Sequence, residues 1–560
     1  MQLVAYGAQD VYLSGNPQIT FFKVVYRRHT NFSVEPVQQT WNGAADFGRT
    51  VTCNINRNGD LITNMYVVVK LPATVVINTN TNTNIPSKSW GYVNRLGHAL
   101  ISNVKIEIGG SKIDEQYGDW LNIWYELTHK VGQERGYAKM IGDVPELTDI
   151  TTITKPAYNL YIPLQFWFNR NNGLALPLIA LQYHDVRITL TFRAFNECIN
   201  YTQNTEPPVV SMTDSFLLID YVYLDSEERK RFAQASHEYL IEQLQFTGSE
   251  SWNSANSKLR LNFNHPSKYL VWAPHSSLHN IRTKWVVHST NGNWEAARER
   301  FAIIIACIFS AGFQYQNTNN NKIYGSGYSQ GSDGFPLASG IYYNLPITPL
   351  SPDIKILLDK IIVHYKAVEG SPAIVGKPTT IFSNSVIIKN ELTMEDITYS
   401  VEWLLSQWEL TYKESPLSAS TLTTRRQQVG TLLNFWTYNI VNYHNYGLCQ
   451  DGSVNLCSKA KLQLNGHDRF QEREGSYFNY VQPAQHFSNT PADGINVYSF
   501  ALKAEDHQPT GTCNFSRIDN ATLNISSDKT IPSGTILNIY TQNYNVLRVM
   551  SGMAGTAYSN

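Results

Sequence analysis

Apolar and polar residues alternate with a period of two along much of the chain, and two distant stretches share nearly the same pattern. Residues 104–120, VKIEIGGSKIDEQYGDW, set Ile106 and Ile108 against Glu107 before Gly109-Gly110. Residues 460–477, AKLQLNGHDRFQEREGSY, set Leu462 and Leu464 against Gln463 before Asn465-Gly466. The alternation predicts strands with one buried face, and Gly-Gly and Asn-Gly supply the positive φ that a tight hairpin requires. After each turn the chain becomes polar, then reaches a glycine (Gly118; Gly475) and an aromatic residue (Trp120; Tyr477). The pattern predicts a duplicated β unit.

The same periodicity organises both halves. DLITNMYVVVKL (60–71), YIPLQFWF (161–168), HDVRITLTF (184–192) and DSFLLIDYVYLD (214–225) read as strands of the first, with WLNIWYELTHK (120–130) helical or irregular. LRLNF (259–263), YLVW (269–272), VYSFAL (497–502) and ATLNI (521–525) read as strands of the second. VYSFAL answers YIPLQFWF in order, Pro509 answers Pro177, and ATLNI answers VRITL. Between the halves, SEERKRFAQASHEYL (226–240) is charged, free of Pro and Gly, and acidic in its first turn, which predicts a linker helix. Glu227 and Glu228 are adjacent and point apart on a helix, so they read as a solvated face rather than an acid–base pair. The interval 274–458 has no counterpart in the first half. Its runs IKILLDKIIVHYKAV, TTIFSNSVIIKNEL and ITYSVEWLLSQWEL predict a folded, β-rich insertion, with 315–335 as an exposed loop.

Composition narrows the class. A chain of 560 residues exceeds one ordinary core, and 12% aromatic with only 16% charged residues suits β-structure better than helix bundles. The net charge of −1, with no basic arm, argues against direct nucleic-acid packaging, and Arg27-Arg28-His29 is too small a patch to change that. Cys53, Cys198, Cys307, Cys449, Cys457 and Cys513 are widely spaced, which points to free core thiols rather than a zinc site or disulfide scaffold. The opening MQLVAYGAQDVYLSGN lacks the order of a signal peptide, and FAIIIACIFSAGF (301–313) falls short of the ~20 residues of a membrane span. A cytosolic, soluble chain is expected.

The search for chemistry returns little. Gly327-Tyr328-Ser329-Gln330-Gly331 matches a nucleophile elbow formally, but an Asn-rich tract precedes it and Ser-Asp-Gly follows, where a buried strand and a helix are needed. Nor do Gly325 and Gly327 complete a dinucleotide fingerprint. His184-Asp185 opens an alternating strand, where the imidazole is expected to meet a backbone group, and His467-Asp468 follows the second hairpin turn. Sequons at Asn31, Asn200, Asn514, Asn520 and Asn524 matter only to a secreted chain. We expect no catalytic, metal or cofactor site, and no enzyme.

The longer stretches carry a resemblance. NPQITFFKVVYRRHTNF, NRNGDLIT, GLALPLIALQYH, HEYLIEQLQFTGSE, LRLNFNHPSKYL, QPTGTCNFSRIDNATL and NYNVLRVMSGMAGTAY closely resemble the major capsid protein of the nucleocytoplasmic large DNA viruses, especially those of algae and amoebae. The match covers about 1–272 and 459–560 and leaves the insertion as its main departure. It implies an all-β fold of two consecutive eight-stranded jelly rolls. The expected division is an arm over 1–25, whose mixed residues read as extended, a first jelly roll over 26–225, the linker helix over 226–240, and a second jelly roll over 241–560 interrupted by 274–458. It also implies a homotrimer forming a pseudo-hexagonal capsomer, in an icosahedral outer shell around an inner membrane that the chain does not span. Neighbouring capsomers and minor capsid proteins beneath the shell are the implied partners, the latter through Gln2 to Val25, with assembly in the host cytoplasm. The insertion is expected to face outward as an outer cap, in host attachment or in contact between neighbouring towers. The competing reading is a carbohydrate- or receptor-binding β-sandwich, with Trp403, Trp408 and Trp436 stacking on sugars.

Overall fold

The computed structural model describes residues 8–17, 29–74, 90–148, 154–202, 210–276, 442–448, 452, 454–529 and 531–558, with backbone strand segments at 284–288, 329–330, 336–337, 385–387 and 437–439. The first half contains eight principal strands: β1 (Phe32–Thr40), β2 (Thr50–Asn54), β3 (Leu61–Leu71), β4 (Ile101–Ile108), β5 (Ser111–Tyr117), β6 (Tyr158–Pro163), β7 (Val186–Phe192) and β8 (Asp214–Leu224). They form two antiparallel sheets in the orders β1-β8-β3-β6 and β2-β7-β4-β5. Inward residues from both, such as Val67, Val69, Ile106, Ile188 and Leu190, merge into one core.

The second half repeats this arrangement strand for strand. Its strands are β9 (His237–Ser251), β10 (Asn256–Arg260), β11 (Pro266–His275), β12 (Lys459–Leu464), β13 (His467–Asp468), β14 (Asn496–Ser499), β15 (Ala521–Ser526) and β16 (Ile536–Met550). Their orders are β9-β16-β11-β14 and β10-β15-β12-β13. Both halves are therefore jelly rolls, since two four-stranded sheets with this interleaved order close a β-sandwich and leave its end loops free to vary. The paired hairpins are β4–β5 and β12–β13. Their turn residues Gly109 and Gly110 (φ 58° and 81°) and Asn465 and Gly466 (51° and 83°) all take the positive φ expected of them.

Four features differ from the sequence reading. YIPLQFWF is a strand only to Pro163; Trp167–Arg170 turns into a short helix whose indole and Phe168 ring fill the core. The linker helix spans Ser226–Gln234 and stops there, because His237–Leu240 already pair along β16. Pro177 is answered by Asn514 rather than Pro509: the short strands Leu176–Pro177 and Cys513–Asn514 pair with the starts of β3 and β11 respectively. The arm is helical where described, over Ala8–Asp10 and Val11–Ser14, instead of extended.

The linker helix is held against the first jelly roll. Buried Asp60 accepts from Arg229 Nε at 2.9 Å and from the Leu224 amide at 2.8 Å, while Phe232 packs on Leu61, Ala175 and Val222. Most of 274–458 lies outside the described residues. Its backbone segments Lys284–His288 and Thr437–Asn439 join Ile199–Thr202 and Trp90–Tyr92 in one sheet, which ties this interval to the first jelly roll.

Candidate functional site at the junction of the two barrels

Among the described residues, a large cluster of buried side chains outside the barrel cores lies where the halves meet. It starts at the glycine that follows the first hairpin. A Cβ on Gly118 would stand 2.2 Å from each of the His98 and Ile101 carbonyl oxygens, so only glycine lets β5 turn there into helix α1 (Gly118–Thr128). That turn lays α1 across the outward face of the β9-β16-β11-β14 sheet. Trp120 stacks on Tyr269 with centroids 6.4 Å apart and meets Tyr540 at 5.5 Å. Ile123, Trp124 and Leu127 complete a buried cluster with Leu244, Val271 and Val497. Fully burying one such side chain contributes about 1.5–3 kcal/mol, so this apolar seam alone holds the two barrels together.

The carbonyl end of α1 is also satisfied by the second barrel. The Asn489 amide donates to the Leu127 carbonyl at 3.1 Å, and the Ala492 amide donates to Glu126 Oε2 at 3.2 Å. Glu126 pairs in turn with Arg95, whose guanidinium lies 5.4 Å from the Tyr125 ring. Asn122 donates to the Tyr446 hydroxyl at 3.2 Å, and Asp119 pairs with His275 at 2.9 Å. Burial works to raise the Asp119 carboxyl, but His275, His444 and Arg193 together hold the group below the ordinary carboxylate range. His98, buried beside Arg95 with Nε2 2.7 Å from the Tyr137 hydroxyl, is pushed down to about 3, first by burial and then by that guanidinium. It is a neutral structural imidazole.

A charge cluster clamps the other edge of the seam. Glu242 on β9 accepts from Lys268 Nζ at 2.7 Å and pairs with Arg170, which comes from the first barrel. Arg170 also stands 4.7 Å from the Trp124 ring, and Lys268 donates to the Asp506 carbonyl at 2.9 Å. Gln542, with its carbonyl oxygen turned toward Arg170, donates its amide to the Tyr269 hydroxyl. Burial works to raise the Glu242 carboxyl, yet Arg170, His507 and Lys268 hold it at about 2.

Asp114 behaves in the opposite sense. Its Oδ1 accepts the Leu244 amide at 2.9 Å across the junction and the Glu115 amide at 2.9 Å, but complete burial dominates and raises the carboxyl to about 7. Between an unfolded value of about 3.9 and that value, the folded chain keeps a proton that the unfolded chain releases. Asp114 therefore contributes stability at low pH that is lost as pH rises from about 4 to 7. His98 and His444, both lowered, act oppositely as pH falls. Thermal melts at pH 4.5 to 8 should show Asp114→Asn gaining on the parent as pH rises; parallel curves would contradict the assignment.

None of the residues singled out in the sequence as candidate chemistry gathers here. His184 meets a backbone group as expected: Nδ1 is 3.0 Å from the Ala554 carbonyl, tying the first barrel to the C-terminal segment. His467 and Asp468 are exposed, with Lys461 pairing to Asp468 at 3.2 Å. Ser329–Gln330 form a backbone ladder with Pro336–Leu337, and the rest of that glycine-rich stretch lies outside the described residues, as do Arg27, Arg28, Trp403, Trp408 and Trp436. Asn200 is buried, while Asn31, Asn514 and Asn520 are exposed. Cys53, Cys198, Cys457 and Cys513 are free thiols. Among the described residues no helix is long and apolar enough to cross a membrane, and no group of three metal-ligating side chains forms. What the sequence reading missed is Arg170, Glu242 and Lys268; for Glu242 and Lys268 the only signal is a charge set inside a strand otherwise patterned for burial, as in HEYLIEQLQF, and Arg170 follows the aromatic run of QFWFNR.

Comparison with known proteins gives the junction its setting. Two family profiles match, "Major capsid protein N-terminus" over 20–225 and "Large eukaryotic DNA virus major capsid protein" over 228–341 and 388–555. Capsid protein 1 of Acanthamoeba polyphaga mimivirus is 40% identical, covering 100% of this chain and 99% of that protein. The major capsid protein of Paramecium bursaria Chlorella virus 1 is 35% identical with the same coverage. The quasi-atomic structure of the PBCV-1 virus capsid superposes with a TM-score of 0.58 at 31% identity, covering 97% of this chain and 100% of that one. The Faustovirus major capsid protein, at 12% identity and a TM-score of 0.56 over 97% and 94% of the two chains, shares the fold. These matches correct one expectation. The second profile takes in 274–341 and 388–458, so most of the interval expected to set this chain apart belongs to the family pattern, and only 342–387 falls between matched segments.

Proposed function

The chain belongs to the large eukaryotic DNA virus major capsid protein family, and from that premise we propose that three copies close head to tail into one pseudo-hexagonal capsomer. Its role is structural, as a subunit of the icosahedral capsid shell. The observation that carries the trimer is the strand-for-strand repetition of one barrel by the other, joined through a packed apolar seam. Six similar sides are what a hexagonal lattice requires, and a threefold ring of duplicated barrels supplies them through heterologous contacts.

The finer assignments follow from the same reading. The chain divides into an arm, two barrels meeting at the Ser226–Gln234 helix, and an outer segment within 274–458. The arm reaches minor capsid proteins under the shell, near an inner membrane. The outer segment faces the host, and a capsid map placing it against the membrane would end that part of the proposal. The role requires no catalysis, cofactor or direct nucleic-acid contact, and assembly takes place in the host cytoplasm. Light scattering on the purified full chain is expected to give three times its 63.5 kDa mass. A stable monomer at assembly concentrations would refute the capsomer.

A further inference from the structure

The two barrels repeat one another, but among the described residues only one of two equivalent contacts is occupied within the chain. Helix α1 follows the first hairpin and covers the outward sheet face of the second barrel. Behind the second hairpin stands the same device. A Cβ on Gly475 would lie 1.8 Å from the Cys457 carbonyl oxygen, so here too a glycine is required before the chain turns into a helical segment, Tyr477–Val481 and Gln482–His486.

Counting from the two glycines, Ile123, Trp124 and Leu127 correspond to Tyr480, Val481 and Ala484. The first three are buried under the second barrel. The second three are exposed, Tyr480 at 43% and Val481 at 41%. An apolar ridge therefore stands on the second barrel where the first barrel uses its ridge for docking.

The receiving face is duplicated as well. Under α1, Phe246, Tyr540, Val271 and Val497 lie side by side across the sheet, in the register of their ladders. Counted from the short strands that pair with the starts of β3 and β11, the same row in the first barrel is Gln38, Leu218, Tyr66 and Pro163. Tyr540, Val271 and Val497 are buried, whereas none of the first-barrel row is. Beside that row Tyr161 is 40% exposed, and further along β1 Val34 is 52% exposed.

We propose that the ridge of Tyr480, Val481 and Ala484 docks on the outward face around Leu218 and Tyr66 of a second copy of this chain. This contact between copies repeats the α1 junction within the chain. The inference rests on the ring proposed above and assigns its interface. Ridge and face lie on different barrels, so the contact is heterologous and propagates around a ring.

The test compares the full-length parent with Val481→Glu, an exposed position where the substitution leaves each barrel folded, by light scattering and thermal melting. The expected result is a trimeric parent and a variant at least tenfold weaker in assembly, with an unchanged melt at a concentration where both are monomeric. A paired variant, Val481→Cys with Leu218→Cys, should form covalent trimers on oxidation while each single variant does not. A trimeric parent whose assembly Val481→Glu leaves intact, with no cross-link in the paired variant, overturns this interface and leaves the ring standing. A monomeric parent overturns both.

Discussion

Gly118→Ala is expected to cost about 3 kcal/mol or more, and Gly475→Ala a comparable amount, although each adds a single methyl group. At Gly118 the new Cβ would stand 2.2 Å from two carbonyl oxygens; at Gly475 it would stand 1.8 Å from one. These are backbone atoms on neighbouring segments, and they cannot yield as the tip of a flexible side chain would. Neither glycine is among the positive-φ residues, so the penalty comes from contact rather than from a forbidden dihedral. Gly136 provides the control. It lies within the helix Glu134–Ile141 with nothing near its ideal Cβ, and Gly136→Ala should stabilise by about 0.5–1 kcal/mol. Thermal melting of the three variants checks the ordering. Equal melting temperatures for Gly118→Ala and the parent would show that the turn into α1 can relax.

Glu242→Gln carries the second large effect, a loss of about 3–5 kcal/mol. The carboxylate serves two cations, Lys268 with no exposed side chain and Arg170, and removing it leaves charge buried without its counterion. If that is the cause, adding Lys268→Met to Glu242→Gln should recover part of the loss, because the stranded ammonium is gone. Independent, additive costs in the double variant would point to packing instead. The pH dependence has a definite sign. The folded carboxyl titrates at about 2, below its unfolded value of about 4.3, so its contribution is present above that unfolded value and is lost as pH falls toward 2. Glu242→Gln should lack this acid limb, which lies below the window in which Asp114 acts.

How far the fold could be read in advance depended on what kind of signal each feature leaves. The hairpins were legible because Gly109-Gly110 and Asn465-Gly466 take the backbone values that only such dipeptides accept readily, and the flanking alternation fixes which face is buried. The duplication followed from their order. Pro177 was mispaired because proline marks punctuation without specifying which ladder it closes. The end of the linker helix was misplaced because HEYL reads equally well as helix or strand until its partner on β16 is known. The junction was least legible. Gly118 and Gly475 were noted as landmarks, but the carbonyls that require them come from distant segments, and proximity leaves no periodic trace. Lys268 shows the same blindness: in NHPSKYL it reads as a surface lysine, and only the fold encloses it with Glu242.

The seam between the barrels also bears on the rate law of shell growth. Six separate barrels would have to find one another in a process steeply dependent on concentration. When every second joint is prefabricated inside a polypeptide, the tethered partner is present at an effective concentration in the millimolar range, and only the joints between chains depend on encounter. In the proposed ring of three chains, closure would scale with the third power of monomer concentration at equilibrium instead of the sixth. The proposed capsomer would persist at a dilution where a ring of six untethered barrels would fall apart.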